Sequence, residues 1–241
     1  MVIKTRGIIL KTMKYSETSV ITDIYTEEKG LQTYIISGVR SKKAKVNASL
    51  LQIMSLVEMV AYYRENKSLN RTKEIKAALV YSSIPFDIRK SAVGLFIAEI
   101  AQKTIQEAEE NKRLFQFLFD IFEHLDQCTD SVANLPIYFM VGFSSFLGFL
   151  PGGNYDRNTV FDLREGIFVP SSRDHLHCLP ENLSGHLNEF LQSSLGEYHK
   201  INLTKTVRKD LLRELLKFYR FHIDSFPEIN AHLILKEVLG S

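Results

Sequence analysis

The densest run of positive charge is Arg40-Ser41-Lys42-Lys43-Ala44-Lys45, which places four cations within six residues. Cations at this spacing can contact successive phosphates of a nucleic acid, and the release of condensed counterions then drives binding without reading the base sequence. Lys11 and Lys14 extend the same predicted patch. The sequence therefore predicts a nucleic-acid-binding site, and the alternative is a solvated loop that only keeps the protein soluble.

Flat side chains beside such a loop would strengthen the prediction, because bases stack on aromatic rings. Phenol oxygens suit a half-exposed groove better than a dry core. The alternative is that these tyrosines pack between strands. The candidates are Tyr15, Tyr25, Tyr34, Tyr62 and Tyr63.

A possible metal site lies at His175, His177 and Cys178, next to Asp174. Imidazole and thiolate suit zinc, but a structural zinc site normally takes a second pair of ligands, which the surrounding segment lacks. Glycine-rich phosphate loops, nucleophile elbows and paired-histidine helix motifs are also absent from the sequence. We therefore predict no metal, no cofactor and no catalytic residue. A metal-dependent hydrolase using His175 and His177 is the alternative.

The net charge of +2 conceals an asymmetry along the chain. Up to Ser83 there are 14 basic and 7 acidic residues, and beyond it 16 basic and 21 acidic ones. A basic module joined to an acidic one is typical of a polyanion-binding platform fused to a scaffold. The two widely spaced cysteines suit a reducing compartment, and no signal peptide or membrane span is evident, so we expect a soluble, cytoplasmic protein without membrane contact.

Short β-branched segments alternate in polarity over the first eighty residues and predict five strands, at 2–13, 19–26, 31–39, 50–64 and 69–79. Glu27-Glu28-Lys29-Gly30 has the length and the glycine of a hairpin turn. Five strands with short turns fit a closed barrel of the OB type, which leaves one face and its bordering loops open for oligonucleotides.

After Pro85, apolar residues recur at three- and four-residue steps, the spacing typical of amphipathic helices. Helices are predicted at 86–109, 111–127, 135–150, 183–195, 205–221 and 229–239. Thr204 is the expected N-cap of the fifth helix. An irregular insert at about 151–180 interrupts the series. The predicted fold is α+β and multi-module, with a five-stranded OB-fold barrel at 1–82 and a helical domain at 83–241 that carries a small zinc-less insert.

Residues 7–63 resemble the N-terminal domain of the RecO family of bacterial DNA repair and recombination mediators. The resemblance depends on a strand ending in Leu10-Lys11, the Tyr15-Ser16-Glu17-Thr18 turn, the Thr26-to-Gly30 hairpin, Gly38 before the basic loop, and Leu51-Gln52 at the next strand. The rest of the chain matches in architecture.

The resemblance implies a protein that binds single- and double-stranded DNA and anneals complementary strands. It also implies contact with the C-terminal tail of single-strand-binding protein, for which we expect a site in the helical domain, and with RecR in loading recombinase. The family's basic barrel surface corresponds here to Lys11, Lys14, Arg40, Lys42, Lys43 and Lys45.

Many members hold zinc in the insert through two CxxC pairs, whereas this insert has a single cysteine, Cys178. We therefore expect apolar packing by Phe161, Ile167, Phe168 and Leu176 to hold it instead. An OB-fold protein that binds RNA is the remaining alternative.

Overall fold

The computed structural model describes residues 1–39, 47–65, 67–106, 108–173 and 176–240, apart from the side chain of Arg173. The chain divides into two compact units, residues 1–127 and 128–241. In the described part of the chain, no helix has both the length and the apolar character needed to cross a bilayer.

The first unit contains the predicted five-stranded closed barrel. Its strands are ordered β1-β2-β3-β5-β4 around the barrel. β1 is long enough to pair with β2 through its second half and with β4 through its first half. A shift in register between Ile9 and Lys11 lets β1 bend across the barrel corner. The strand bounds are β1 (Val2–Lys14), β2 (Ser19–Thr26), β3 (Gly30–Ser37), β4 (Leu56–Tyr62) and β5 (Asn70–Ala77).

Alternate residues of these strands fill the barrel, as the period-two pattern predicted. Ile9, Ile24, Tyr34 and Met59 belong to one buried cluster that supplies the barrel core. The hairpin between β2 and β3 closes at Gly30, which has a φ of +58°, a conformation that glycine adopts without strain. The predicted hairpin glycine is thus confirmed.

Two helices complete the first unit, α1 (Ile88–Thr104) and α2 (Lys112–Gln127). Asp87 caps α1, because its carboxylate accepts the backbone N–H groups of Arg89 and Lys90. The predicted domain boundary at 82/83 falls inside this compact unit, since both helices group with the barrel. That boundary stays a prediction.

The second unit contains α3 (Leu135–Phe146), α4 (Glu181–Gln192), α5 (Lys205–His222) and α6 (Ala231–Gly240). The core of this unit forms around α3, and the buried hydroxyl of Tyr219 on α5 donates to the Met140 carbonyl on α3 at 2.7 Å. Thr204 caps α5 by accepting the N–H of Val207, as predicted.

The insert is a hairpin of two short strands, β6 (Thr159–Asp162) and β7 (Ile167–Pro170). Phe161 and Phe168 are buried and contact each other edge to face, with ring centroids 5.2 Å apart. The prediction that Ile167 and Leu176 also pack there is wrong, because they are 43% and 94% exposed. Alternation on β7 turns Ile167 away from the side that buries Phe168.

Candidate nucleic-acid interface

One outer side of the barrel carries a straight row of side chains across four strands. Met13 pairs in register with Ile21, Ile21 with Ile35, and Ile35 with Arg71. Residues adjacent to this row in sequence, such as Thr22 and Ile36, are buried, so the row points outward. Met13 is 44% exposed, Ile21 and Ile35 are half-buried, and Arg71 is exposed. We call this surface the open barrel face.

Polar rows border the apolar one on both sides. Lys11 pairs with Asp23, and Asp23 pairs with Thr33, whose hydroxyl donates to the Asp23 carboxylate at 2.8 Å. On the other side, Tyr15 donates its backbone N–H to the Ser19 carbonyl, which fixes the backbone there. The Tyr15 side chain is 59% exposed. The open barrel face thus combines an apolar row with hydroxyl groups, a cation and the Asp23 carboxylate beside it.

The predicted cations divide into two groups. Lys11 is half-buried and Lys14 exposed, both in the last part of β1. The other four, Arg40, Lys42, Lys43 and Lys45, lie outside the described residues. All six remain predicted DNA contacts.

Two further cations were missed by sequence reasoning, Arg71 and Lys73, which are exposed residues of β5. The sequence gives one signal for them, the alternation of Arg71 and Lys73 with other residues along the strand. That pattern could not place Arg71 beside Ile35, because β3 and β5 are far apart in sequence. Lys73 Nζ lies 3.9 Å from Glu74 Oε1, a distance at which exposed charges interact weakly.

The tyrosine prediction is partly wrong. Tyr15 and Tyr62 are exposed, and Tyr63 is half-buried, with Lys29 Nζ 5.2 Å from its ring centroid. Tyr25 and Tyr34 are buried instead, which removes them as stacking candidates. Burial raises the pKa of Tyr34, in keeping with its place in the barrel core.

Tyr25 is buried because α2 covers part of the barrel exterior. Its ring stacks on Phe115 of α2, with centroids 6.3 Å apart. Nearby, Arg6 lies over the ring of Phe119 at 4.9 Å and donates two hydrogen bonds to Glu27, at 2.7 and 2.9 Å. These bonds lower the pKa of Glu27, although burial opposes the shift. The Arg6 charge is therefore neutralised within the protein.

The second unit contains a groove of about 660 Å³, the α5–α6 groove, lined from α3, α5 and α6. Its apolar lining includes Ile137 and Leu216, which are buried, and Leu233, which is exposed. Its cationic lining consists of Lys205, Arg208, Lys209, Arg213, Lys217, Arg220 and Lys236.

The guanidinium of Arg208 is fixed in this groove. Its Nε donates to Asn134 at 2.8 Å and its Nη2 to the Leu203 carbonyl at 3.2 Å. Burial lowers the pKa of Arg208, and among the described residues no carboxylate lies within 4 Å of it. Arg213 and Lys217 differ, because both contact Glu214. A half-buried cation beside apolar side chains suits an acidic peptide that also carries apolar groups.

The possible metal site consists of His175, His177 and Cys178. His175 lies outside the described residues, whereas His177 and Cys178 are described. Among the described residues, no three histidine, cysteine or acidic side chains come together as a metal site would require. The His177 ring packs instead against Phe221, with centroids 5.0 Å apart.

The closed five-stranded barrel followed by helices places the protein in the class of OB-type barrel proteins, whose barrels commonly bind oligonucleotides. Two family models match, "Recombination protein O N terminal" over residues 1–81 and "Recombination protein O C terminal" over residues 85–228. The chain therefore belongs to the RecO family of DNA repair proteins, which confirms the resemblance found in the sequence.

Relatives match over nearly their whole length. The DNA repair protein RecO of Bacteroides fragilis is 36% identical over 238 residues, covering 98% of each chain. That of Christiangramia forsetii is 34% identical over 242 residues, covering 100% of each chain. That of Flavobacterium psychrophilum is 30% identical over 241 residues, again covering 100% of each. These matches support a role in DNA repair.

Proposed function

We propose that this protein binds single-stranded and double-stranded DNA, anneals complementary strands, and helps to load recombinase on strands coated with single-strand-binding protein. The observation that carries the proposal is the open barrel face, where the row from Met13 to Arg71 joins apolar and cationic groups on one surface. Apolar and aromatic side chains contact unstacked bases, and cations contact phosphates.

The mechanism needs no covalent step. Cations that neutralise phosphates on two strands reduce the repulsion between them, and counterion release supplies the binding free energy. Lys11 and Lys14 on β1 and Arg71 on β5 are the described residues that we propose for these phosphate contacts. Arg40 and the lysines at 42, 43 and 45 follow β3 directly in the sequence, so we propose that they extend the same cationic surface. We accordingly propose a non-enzymatic protein that acts in the cytoplasm.

A charge-reversal pair tests the proposal with a matched control. Lys11→Glu and Lys4→Glu change the same strand and the net charge equally, but Lys4 pairs with Val60 on the β4 side of the barrel. Lys11→Glu should lower the slope of log K against log salt for single strands by about 0.7, and its combination with Arg71→Glu should lower it by about 1.4 and weaken binding roughly 10- to 100-fold at 0.1 M salt.

Fluorescence anisotropy of a labelled oligonucleotide, measured over a salt series, gives both quantities. Lys4→Glu should change the affinity by less than about threefold, because one remote exposed charge contributes little at this ionic strength. An equal loss in Lys4→Glu, or wild-type binding by the double variant, would contradict the open barrel face as the site. The triple change of Lys42, Lys43 and Lys45 to Glu should likewise remove most of the affinity and flatten its salt dependence.

For the partner in the second unit, we propose that the α5–α6 groove binds the C-terminal tail of single-strand-binding protein. Lys209 and Arg220 are exposed cations in the groove lining, and among the described residues neither has a carboxylate within 4 Å. Arg208 would contact an acidic group of the tail while the apolar lining takes its apolar side chains. We also propose RecR as a partner, without assigning it residues.

A tail peptide tests the groove separately from DNA binding. Lys209→Glu with Arg220→Glu should weaken peptide binding at least about tenfold, because each reversal replaces an attraction by a repulsion at short range. Lys200→Glu, which changes an exposed lysine on the short helix Tyr198–Lys200, serves as the control. Annealing of coated strands by the same variants would then show whether the groove delivers the protein to its substrate. Unchanged peptide binding would contradict this assignment.

A further inference from the structure

The guanidinium of Arg208 is held along one of its donor edges only. Its Nε donates to the Asn134 amide oxygen at 2.8 Å, and its Nη2 donates to the Leu203 carbonyl at 3.2 Å. Nε and Nη2 form one edge of the planar guanidinium, and this edge lies against Asn134 and Leu203. Both of these residues are buried, and neither belongs to the groove lining that includes Arg208. The bonded edge thus faces the protein and not the α5–α6 groove.

The other edge of Arg208, formed by Nη1 and Nη2, has donors to spare. A guanidinium carries five N–H donors, of which Asn134 and Leu203 take two. Among the described residues, the remaining donors have no hydrogen-bond acceptor and no carboxylate pairs with the guanidinium. Because Nη1 and Nη2 present parallel N–H groups, this free edge matches both oxygens of one carboxylate.

Asn134 is itself fixed, which defines the direction of the Arg208 side chain. Its Nδ2 donates to the Ile201 carbonyl at 2.8 Å and to the Tyr198 carbonyl at 3.3 Å. The residue is buried and directly precedes α3. With the amide nitrogen bonded to two carbonyls, the amide oxygen faces Arg208. An amide oxygen carries no net charge, so this bond orients the guanidinium without cancelling its positive charge.

Two neighbouring cations of the groove are arranged differently. Arg213 Nη1 lies 2.9 Å from Asp210 Oδ1, and its Nε lies 3.1 Å from Glu214 Oε1. Lys217 Nζ lies 2.9 Å from the same Glu214 oxygen. Carboxylates of the protein therefore compete with an incoming anion for Arg213 and Lys217. Arg208 combines a fixed orientation, a free donor edge and a charge that no carboxylate of the described residues cancels.

We propose that Asn134 is a positioning residue, which directs the free Nη1–Nη2 edge of Arg208 towards one carboxylate of a peptide bound in the α5–α6 groove. The inference rests on the proposed function, because the acidic tail peptide must first occupy this groove. The carboxylate belongs either to an acidic side chain or to the carboxyl end of the peptide, since both present the same pair of oxygens. Asn134 acts through Arg208 and does not touch the peptide.

Positioning by Asn134 raises the affinity because the arginine is ordered before the peptide arrives. Ordering a long side chain on binding reduces the affinity by about two- to tenfold. Arg208 avoids this loss, since Asn134 and Leu203 already set the plane of its guanidinium. Arg208 is also half-buried, so less water competes for its free edge and a charge-assisted bond there is stronger.

The test uses the full-length protein and three labelled forms of the tail peptide of single-strand-binding protein. The first form is unmodified, the second has amides in place of its side-chain carboxylates, and the third ends in a carboxamide. Asn134→Ala should weaken binding of the unmodified form about three- to tenfold. Arg208→Lys, which keeps the charge but loses the paired donors, should weaken it at least about tenfold. Asn202→Ala, at an exposed position outside the groove lining, is the matched control and should change the affinity by less than about twofold.

The comparison between peptide forms separates positioning from a merely structural role. Both variants should bind one modified form as the wild type does, within about twofold, because that form lacks the carboxylate that contacts Arg208. If the insensitive form is the carboxamide, the carboxylate is that of the chain end, and if it is the side-chain amide form, the carboxylate is that of a side chain. A distorted groove would instead weaken all three forms by the same factor, and that result would overturn the inference.

The two levels of inference fail differently. No binding of the unmodified peptide by the wild-type protein would refute the groove assignment itself. Wild-type binding that Asn134→Ala leaves unchanged would overturn the positioning role alone. Asn134→Ala removes buried bonds, so its melting temperature and its affinity for single-stranded DNA are measured first. If this variant does not fold, Arg208→Lys decides: unchanged affinity for the unmodified peptide would overturn the inference, and a loss confined to the forms that keep the carboxylate would support it.

Discussion

The buried carboxylate of Asp126 should control the stability of the first unit in acid. It lies at the end of α2 and accepts the backbone N–H groups of Ser82, Ser83 and Ile84 at 2.8 to 3.0 Å, with a further bond from the Ser82 hydroxyl. Lys90 Nζ donates to the Asp126 carbonyl and to Ser83 Oγ, at 3.0 and 2.7 Å. One side chain thus fixes the chain where it leaves the barrel and enters α1.

The pKa of Asp126 gives the magnitude. Burial is the largest single influence and raises this pKa, but the hydrogen bonds from Ser82, Ile84 and Ser83 together outweigh it and lower the pKa from 3.8 to about 2. Ionisation in the folded protein therefore stabilises it by about 2 kcal/mol at neutral pH. Because the folded pKa is the lower one, this stability is present above about pH 4 and is lost as the pH falls towards 2.

Asp126→Asn should destabilise the protein by about 3 kcal/mol at pH 7, because an amide accepts fewer bonds and places an NH₂ group against donors. Its stability should also fall less than that of the wild type between pH 4 and 2. Denaturant unfolding followed by circular dichroism at several pH values measures both effects. Asp120→Asn, which changes a half-buried carboxylate on the same helix, should cost less than about 1 kcal/mol.

Two outcomes would refute this reasoning. One is a loss below about 1 kcal/mol in Asp126→Asn at pH 7, which would mean that the bonded carboxylate contributes no more than an ordinary surface group. The other is an acid dependence of Asp126→Asn as steep as that of the wild type, which would assign the titration to other groups.

Two further substitutions separate stability from DNA binding. Arg6→Ala should destabilise the protein by about 1–2 kcal/mol, since it removes the contact with Phe119 and the bonds to Glu27, but it should leave single-strand affinity unchanged in anisotropy assays. Reduced DNA affinity at unchanged stability would contradict this. Tyr219→Phe should cost about 1–2 kcal/mol in denaturant unfolding, because the Met140 carbonyl loses its buried donor; a neutral effect would show that water replaces the bond.

The sequence predicted the local structure well because most of that structure depends on local pattern. The strands alternate as the barrel requires, the hairpin turns at Gly30, and Thr204 caps α5. These features depend on residues close together in the chain, where period and capping chemistry are direct evidence.

The errors have a common physical cause, which is packing between distant segments. The sequence offered Tyr25 as a half-exposed stacking candidate, but it could not show that Phe115 of α2 covers its ring. Arg71 was missed because its position beside Ile35 depends on the parallel pairing of β3 and β5. The exposure of Ile167 likewise depends on which side of a short hairpin meets α5, where Phe161 contacts Phe218.

The charge asymmetry of the sequence acquires a structural meaning when each cation is considered with its partner. Arg6 is neutralised by Glu27 on the barrel side that α2 covers, and Lys76 lies 3.0 Å from Glu58 between β4 and β5. Lys11 and Arg71 instead flank the apolar row of the open barrel face. Because positive charge that is already paired contributes little to counterion release, DNA affinity should depend on where the cations lie and not on their number.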